Sequence, residues 1–115
     1  MAFDYSRLAE ITTIANSAGN IYHHASGTAY IRLIIIHNGN TTSEVVKLYM
    51  VPNNGGADGT AGATNIFFNQ NVIPNETLFI EIKEPGLMFL DAHDTLQAVT
   101  TTASKVTIQV YGGAE

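Results

Sequence analysis

The apolar run at residues 30–36 most constrains what this chain can fold into. It reads Tyr-Ile-Arg-Leu-Ile-Ile-Ile, so both faces of an extended strand are apolar apart from Arg32. Its β-branched residues favour a strand over a helix. A strand with two apolar faces needs cover on both sides. One side can pack into the core of a small domain, and we expect a loop, the N-terminal segment or a second subunit to cover the other.

The next segment predicts a return strand. Asn38, Gly39 and Asn40 tolerate positive φ, so they predict a tight reversal. Residues 44–51 then alternate in polarity, which places Val46, Leu48 and Met50 on the inward face. We therefore predict a hairpin over residues 27–51 as the centre of the fold.

The rest of the chain repeats this pattern of short alternating segments. Residues 66–73, 76–83, 87–90, 95–101 and 105–111 read as strands separated by Gly, Pro and Asn turns, and Gly112 and Gly113 are expected to end the last one. Their inward faces are expected to be formed by Leu78, Ile80, Ile82, Leu96, Ala98, Val106, Ile108 and Val110. Seven to nine short strands without a convincing amphipathic helix predict an all-β fold. An antiparallel β-sandwich, jelly-roll-like, is our prediction, with a small barrel as the alternative.

Two segments are harder to assign. In residues 1–19, Leu8, Ile11 and Ile14 recur at helical spacing, but the run is rich in Thr and β-branched residues, so a helix and a strand compete. We treat residues 1–19 as an N-terminal arm and residues 20–115 as the sandwich domain. Residues 52–65 are Gly-rich and almost without large apolar residues, which predicts a flexible loop that orders on contact with a partner.

The composition limits the possible functions. Only 13% of residues are charged, about half of the ~25% typical of soluble domains, while 45% are hydrophobic. A small domain with so few charges is expected to bury part of its outside against copies of itself or a partner, although a monomer covered by Thr, Asn and Ser is the alternative. Five Lys and Arg against ten Asp and Glu argue against nucleic acid. There is no cysteine, no membrane-length apolar run and no signal-peptide pattern, so we expect a soluble protein.

No residue pattern predicts catalysis or a cofactor. There is no G-x-S-x-G motif, and Glu44, Glu76, Glu81 and Glu84 are expected at outward or turn positions. Asp58 alone is too little for a calcium loop. The best candidate metal ligands lack a diagnostic spacing, so we predict no metal site and expect the two aspartates to bind turn backbone. These candidates are His23, His24, His37, His93, Asp91 and Asp94.

Three short motifs stand out along the chain. They are Ile36-His37-Asn38 at a strand end, Val46-Lys47-Leu48-Tyr49 in the next strand, and the turn and strand of residues 90–98, LDAHDTLQA. Together these motifs resemble those of small virion structural proteins of tailed bacteriophages. The likeness covers about residues 20–112. His93 stands where these proteins usually have glycine, which leaves the conformation of that turn open.

The resemblance implies a non-enzymatic virion protein. We expect a capsid decoration or cement protein that forms a homo-oligomer, with a trimer favoured, and bridges major capsid protein subunits on the virion after synthesis in the host cytoplasm. A neck, tail or fibre-base component is the nearest alternative. A carbohydrate-binding β-sandwich module is the alternative from another class. The N-terminal arm and the 52–65 loop are expected to reach across to neighbours, and the aromatic residues expected in the contacts are Phe3, Tyr5, Tyr30, Tyr49, Phe67, Phe68, Phe79 and Tyr111.

Overall fold

The computed structural model describes residues 4–83 and 87–114, and within them it contains nine strands and no helix. The strands are β1 (Asp4–Thr13), β2 (Gly19–His23), β3 (Ala29–Asn38), β4 (Glu44–Val51), β5 (Ile66–Val72), β6 (Thr77–Glu81), β7 (Leu87–Phe89), β8 (Thr95–Thr100) and β9 (Val106–Ala114). No helix in this part of the chain has the length and hydrophobicity needed to cross a bilayer.

The strands form two antiparallel sheets. The five-stranded sheet has the order β1-β9-β3-β6, with β7 also paired to β3, and the four-stranded sheet has the order β2-β8-β4-β5. This arrangement confirms the predicted all-β sandwich. It follows from the alternation in each strand, because a sheet with one apolar face must bury that face against another layer.

The core lies between the two sheets. Most of its fully buried side chains come from the inward faces of β3, β4, β8 and β9, with Ile14, Val72 and Phe89 from other segments, and partly buried residues of β6 pack against it. All of the predicted inward residues are confirmed here: Val46, Leu48, Leu96, Ala98, Val106, Ile108 and Val110 are buried, and Met50, Leu78, Ile80 and Ile82 are half-buried against them.

The predicted central hairpin is wrong, because β3 and β4 lie in different sheets. β3 pairs with β9, β6 and β7, whereas β4 pairs with β5 and β8. Residues 39–43 therefore cross from one sheet to the other. Such a crossing needs no left-handed residue, and positive φ among the described residues occurs at other positions.

Asn38 organises this crossing through its side chain. Its Nδ2 donates to the carbonyl oxygens of Thr42, at 3.0 Å, and Val72, at 2.9 Å, while its Oδ1 accepts from the Asn40 backbone N–H at 2.9 Å. The residue is fully buried. The sequence predicts that Asn38 helps to form a tight turn. In the structure its side chain instead holds the crossing through hydrogen bonds.

The predicted N-terminal arm is also corrected, because Asp4–Thr13 is a strand of the five-stranded sheet. β1 pairs with β9 from Asp4 opposite Ala114 to Thr13 opposite Thr107, with two register shifts in between. Ile14 then enters the core, whereas Ile11 is 59% exposed. The β-branched character of this segment therefore outweighed its helical spacing.

The last strand does not end at Gly112 and Gly113, as predicted, but continues through them. A Cβ atom on Gly112 would fall on the carbonyl oxygen of Tyr30, and one on Gly113 would meet the Tyr30 ring. These glycines let β9 approach β3 closely, beside the register shift between Ile31 and Leu33.

Glu44 was predicted at an outward or turn position, but it is buried, with 1% of its surface exposed. Its Oε1 accepts from the Thr102 backbone N–H at 2.7 Å, and its Oε2 accepts from the Asn40 Nδ2 at 3.0 Å. Burial raises the pKa of this carboxyl, but the hydrogen bonds from Thr102 and Asn40 and the charge of Lys105 outweigh burial and lower it. The buried carboxylate thus stays ionised at neutral pH and ties β4 to the turn before β9.

Candidate functional site

The outer side of the five-stranded sheet carries an apolar patch. Ile34 and Ile36 are buried, so Leu33 and Ile35 on β3 face away from the core. Ile35 lies opposite Phe79 on β6, and Leu33 lies opposite Tyr111 on β9. Phe79 is 64% exposed. We call Leu33, Ile35, Phe79 and Tyr111 the apolar outer face.

Polar residues surround the apolar outer face. His37 Nδ1 lies 2.8 Å from the Thr77 Oγ1 at one end of the patch. The Tyr111 hydroxyl donates to the Gln109 Oε1 at 2.7 Å, and Glu81 lies opposite Leu33 at the other end. An apolar centre inside a polar rim is the usual arrangement of a protein–protein interface.

The eight predicted interface residues do not form one surface. Phe79 and Tyr111 share the apolar outer face, whereas Tyr49, Phe67 and Phe68 belong to the four-stranded sheet. Phe68 packs against the core, and Phe67 is 39% exposed. The half-buried ring of Tyr30 lies next to Gly113. The backbone of Tyr5 lies in β1, but its side chain and the whole of Phe3 lie outside the described residues.

A second candidate site, which we call the His–Asp cluster, comprises His23, Asp58 and His93. The His23 Nε2 and the His93 Nδ1 each lie 2.8 Å from the Asp58 Oδ1, and they lie 3.2 Å from one another. Among the described residues, this is the set of three whose ligand atoms converge closely enough to hold a metal ion. Imidazole nitrogen and carboxylate oxygen are ligands that first-row divalent metals accept.

The strand pairing brings the two histidines together. His23 ends β2 and lies opposite Thr95 of the neighbouring β8, and His93 stands in the turn just before β8. The His93 backbone N–H donates to the His24 carbonyl oxygen, and the His24 N–H donates to the Asp94 carbonyl oxygen, both at 2.9 Å. The turn thus continues the β2–β8 ladder by one more pair of hydrogen bonds.

Asp58 reaches the cluster because the 52–65 loop folds back over its own sheet. Asp94 Oδ1 accepts from the backbone N–H of Asn53, at 2.9 Å, and from its Nδ2, at 3.1 Å. Further along, the Gln97 Nε2 donates to the Gly59 carbonyl oxygen at 3.3 Å. The loop, expected to reach across to a neighbour, here crosses β8 and contacts β2 of the same chain through Asp58 before it leads into β5. Asp94 binds backbone, as expected, since it also accepts from Asp91 N–H at 3.2 Å.

Hydrogen bonds keep the cluster's carboxylate ionised. The contact with His93 and the bond from the Asn20 Nδ2 to the Asp58 Oδ2, at 3.1 Å, hold the pKa of Asp58 below its ordinary value. All three members of the cluster are partly accessible, with side-chain exposures near 40%. The site therefore presents a negative charge and two ring nitrogens at the surface.

The other candidate histidines serve the fold. His24 is 2% exposed, with its Nε2 donating to the Gly27 carbonyl oxygen at 2.7 Å and its Nδ1 accepting from the Tyr22 hydroxyl at 3.0 Å. His37 binds Thr77 on the rim of the apolar outer face. His23 and His93 were recognised in the sequence, but Asp58 was dismissed, because its approach to them depends on the path of the loop.

Comparisons of this chain with family models, with curated proteins and with solved structures found no match. The features that bear on function are therefore the sequence motifs, the apolar outer face and the His–Asp cluster.

Proposed function

We propose that this protein is a non-enzymatic structural subunit of a virus particle that assembles with further copies of itself through the apolar outer face. The single observation that carries the assembly is Phe79, which is 64% exposed on the edge strand β6, beside Leu33 and Ile35 of β3. Fully burying an exposed Phe side chain contributes about 1.5–3 kcal/mol, and covering the half-buried Leu33 and Ile35 adds to this, so the patch favours association. The low charged fraction of 13% supports the same proposal, because interface centres are depleted in charge.

The sequence motifs and the connectivity of the strands support the assignment to a virus particle. The motifs of residues 36–38, 46–49 and 90–98 resemble tailed-phage virion proteins. We infer a jelly-roll-like connectivity of the strands. The chain passes from one sheet to the other between β1 and β2, between β2 and β3 and between β3 and β4, and again after β5, β7 and β8. Jelly rolls are common in viral capsid proteins. Capsid decoration is our first assignment, and a neck or tail position is the alternative within the same class.

The test of assembly compares two exposed phenylalanines on opposite sheets. We expect the wild-type protein to have the native mass of an oligomer, with a trimer favoured, in native mass spectrometry and sedimentation. Phe79→Ser removes the most exposed residue of the apolar outer face and is expected to yield a folded monomer, whose cooperative unfolding transition does not depend on protein concentration. Phe67→Ser, at 39% exposure on the other sheet, is the matched control and should stay oligomeric.

Purified virus particles test where on the particle the protein is located. A copy number in purified particles that matches the shell lattice supports decoration, and a copy number of one ring supports the neck or tail. A wild-type protein that is a monodisperse monomer and does not bind shells contradicts the proposal.

A further inference from the structure

We propose that the His–Asp cluster binds one divalent transition-metal ion, Zn²⁺ being the cation it fits best, and that the ion fastens the 52–65 loop to the β2–β8 edge of the sandwich. This inference is independent of the proposed function. The ligands are the Nε2 of His23, the Oδ1 of Asp58 and the Nδ1 of His93.

The three ligand atoms are spaced closely enough to hold one metal ion. Their separations are 2.8, 2.8 and 3.2 Å. Ligands at zinc bonds of about 2.0–2.1 Å with tetrahedral angles lie about 3.3 Å apart, so the cluster needs to open by only a few tenths of an ångström. Two histidines and one carboxylate are also a set that zinc proteins use, with the fourth position left to water.

Hydrogen bonds alone cannot satisfy all three of these ligand atoms well. If both ring nitrogens carry protons and donate to the Asp58 Oδ1, two N–H donors face one oxygen and lie 3.2 Å from each other. If one nitrogen is unprotonated, its lone pair faces the carboxylate oxygen at 2.8 Å. A cation at the centre would accept all three lone pairs at once.

The backbone of His93 lies in the left-handed region, with a φ of +71°. This left-handed conformation suits glycine, and a side chain there is disfavoured. The hydrogen bond from the His93 N–H to the His24 carbonyl oxygen holds the backbone in this conformation. The His93 ring then lies next to His23 and Asp58. Such outliers concentrate at functional sites.

The chemistry selects the class of cation. Ca²⁺ prefers six to eight oxygen ligands, and Mg²⁺ prefers an octahedron of oxygens, whereas this cluster offers two nitrogens and one oxygen. Zn²⁺, Cu²⁺, Ni²⁺ and Fe²⁺ accept imidazole. Asn20 orients the carboxylate of Asp58, because its Nδ2 donates to the second oxygen, Oδ2, at 3.1 Å.

The experiment titrates chelator-treated full-length protein with Zn²⁺ alone, using calorimetry. We expect one ion per chain, no comparable heat with Mg²⁺ or Ca²⁺, and a higher unfolding temperature with Zn²⁺. Asp58→Asn keeps the shape of the side chain but loses its charge, and it should weaken Zn²⁺ by about 100-fold or more. Asn20→Ala should weaken it by about 10-fold, the size expected for a group that orients a ligand.

The variant His93→Gly tests the proposal even if Asp58→Asn or Asn20→Ala fails to fold. Because glycine adopts positive φ without strain, this variant should be as stable as the wild type without metal, yet lose the stabilisation by Zn²⁺. His37→Ala removes a histidine outside the cluster and should leave Zn²⁺ binding unchanged. Hydrogen exchange should show that Zn²⁺ slows the backbone amides of residues 53–62 in the wild type and not in His93→Gly.

Ring-nitrogen NMR then identifies the atoms. Zn²⁺ should shift the His23 Nε2 and His93 Nδ1 resonances and leave both nitrogens of His24 in place. The proposal is overturned if Zn²⁺ at millimolar concentration does not bind, or if Asp58→Asn and His93→Gly bind it as tightly as the wild type.

Discussion

At the scale of the residue, the buried carboxylate of Glu44 shows how one side chain joins distant parts of the chain. It accepts hydrogen bonds from Thr102 and Asn40, which come from the connections that precede β9 and β4. A buried charge is expensive unless its partners satisfy it, and here both oxygens are satisfied. Its lowered pKa follows from these bonds despite the burial.

Replacing Glu44 should therefore alter stability in a pH-dependent way. We expect Glu44→Gln to lower the free energy of unfolding at pH 7 by about 1–3 kcal/mol, because the neutral amide leaves a donor facing Asn40. The folded-state pKa lies below the ordinary glutamate value of about 4.3, so the wild-type advantage is complete above that pH. It is lost as the pH falls through the folded-state pKa.

Urea unfolding between pH 7 and pH 3 measures this difference. The wild-type and Glu44→Gln curves should converge toward the acid end. Glu10→Gln is the control, because that side chain is 86% exposed and pairs with Arg7 only at 3.6 Å. Curves for Glu44→Gln and wild type that stay parallel over the whole range would contradict the assignment of a stabilising buried carboxylate.

At the scale of the element, β9 depends on a close approach that only glycine permits. Gly112 faces the backbone of Tyr30 and Ile31, and a methyl group there has no room. We expect Gly112→Ala to destabilise the protein by about 1–3 kcal/mol, as overpacking does when backbone must shift. Gly113→Ala should be milder, because the obstacle there is the movable end of the Tyr30 side chain.

Gly62→Ala is the matched control for this pair, since a Cβ on Gly62 meets nothing within 4 Å. Its effect should stay within about 0.5 kcal/mol. Thermal and urea unfolding of the three variants tests the order Gly112, then Gly113, then Gly62. An equal effect at Gly112 and Gly62 would show that the β3–β9 approach is not tight.

The strands themselves could be read from the sequence, because alternation is a local property. Val46 and Leu48, or Leu96 and Ala98, stand two residues apart, which places each pair on one face of its strand, and both pairs are buried. Strand partners are not local. Nothing between Asn38 and Glu44 distinguishes a hairpin from a crossing to the other sheet, since the difference lies in the contact of Asn38 with Val72. Gly112 was wrongly predicted to end its strand for a similar reason, because its role depends on close contact with Tyr30, which is distant in the sequence.

The candidate sites divide in the same way. Phe79 could be recognised as outward from the alternation of β6 alone. The His–Asp cluster could not, because His23 and Asp58 are 35 residues apart and His23 and His93 are 70 apart. Their meeting depends on the β2–β8 pairing and on a loop whose Gly-rich sequence does not encode a path.

At the scale of the whole molecule, most strand pairs join segments that are distant in the chain, with β1 on β9 as the longest example, followed by β3 on β9 and β2 on β8. Folding must therefore close long loops before these contacts form. We expect refolding in the millisecond-to-second range, as for other sandwiches of non-local pairing. Stopped-flow dilution from urea measures the rate, and microsecond refolding would contradict the topology.

The pairing of β1 with β9 places Asp4 directly opposite Ala114. Facing Cα atoms in an antiparallel ladder are about 4.5–5.5 Å apart, so a short turn is enough to join these two positions. A variant of the single chain that is closed into a circle by a short turn between these two positions should therefore keep the pairing of both sheets.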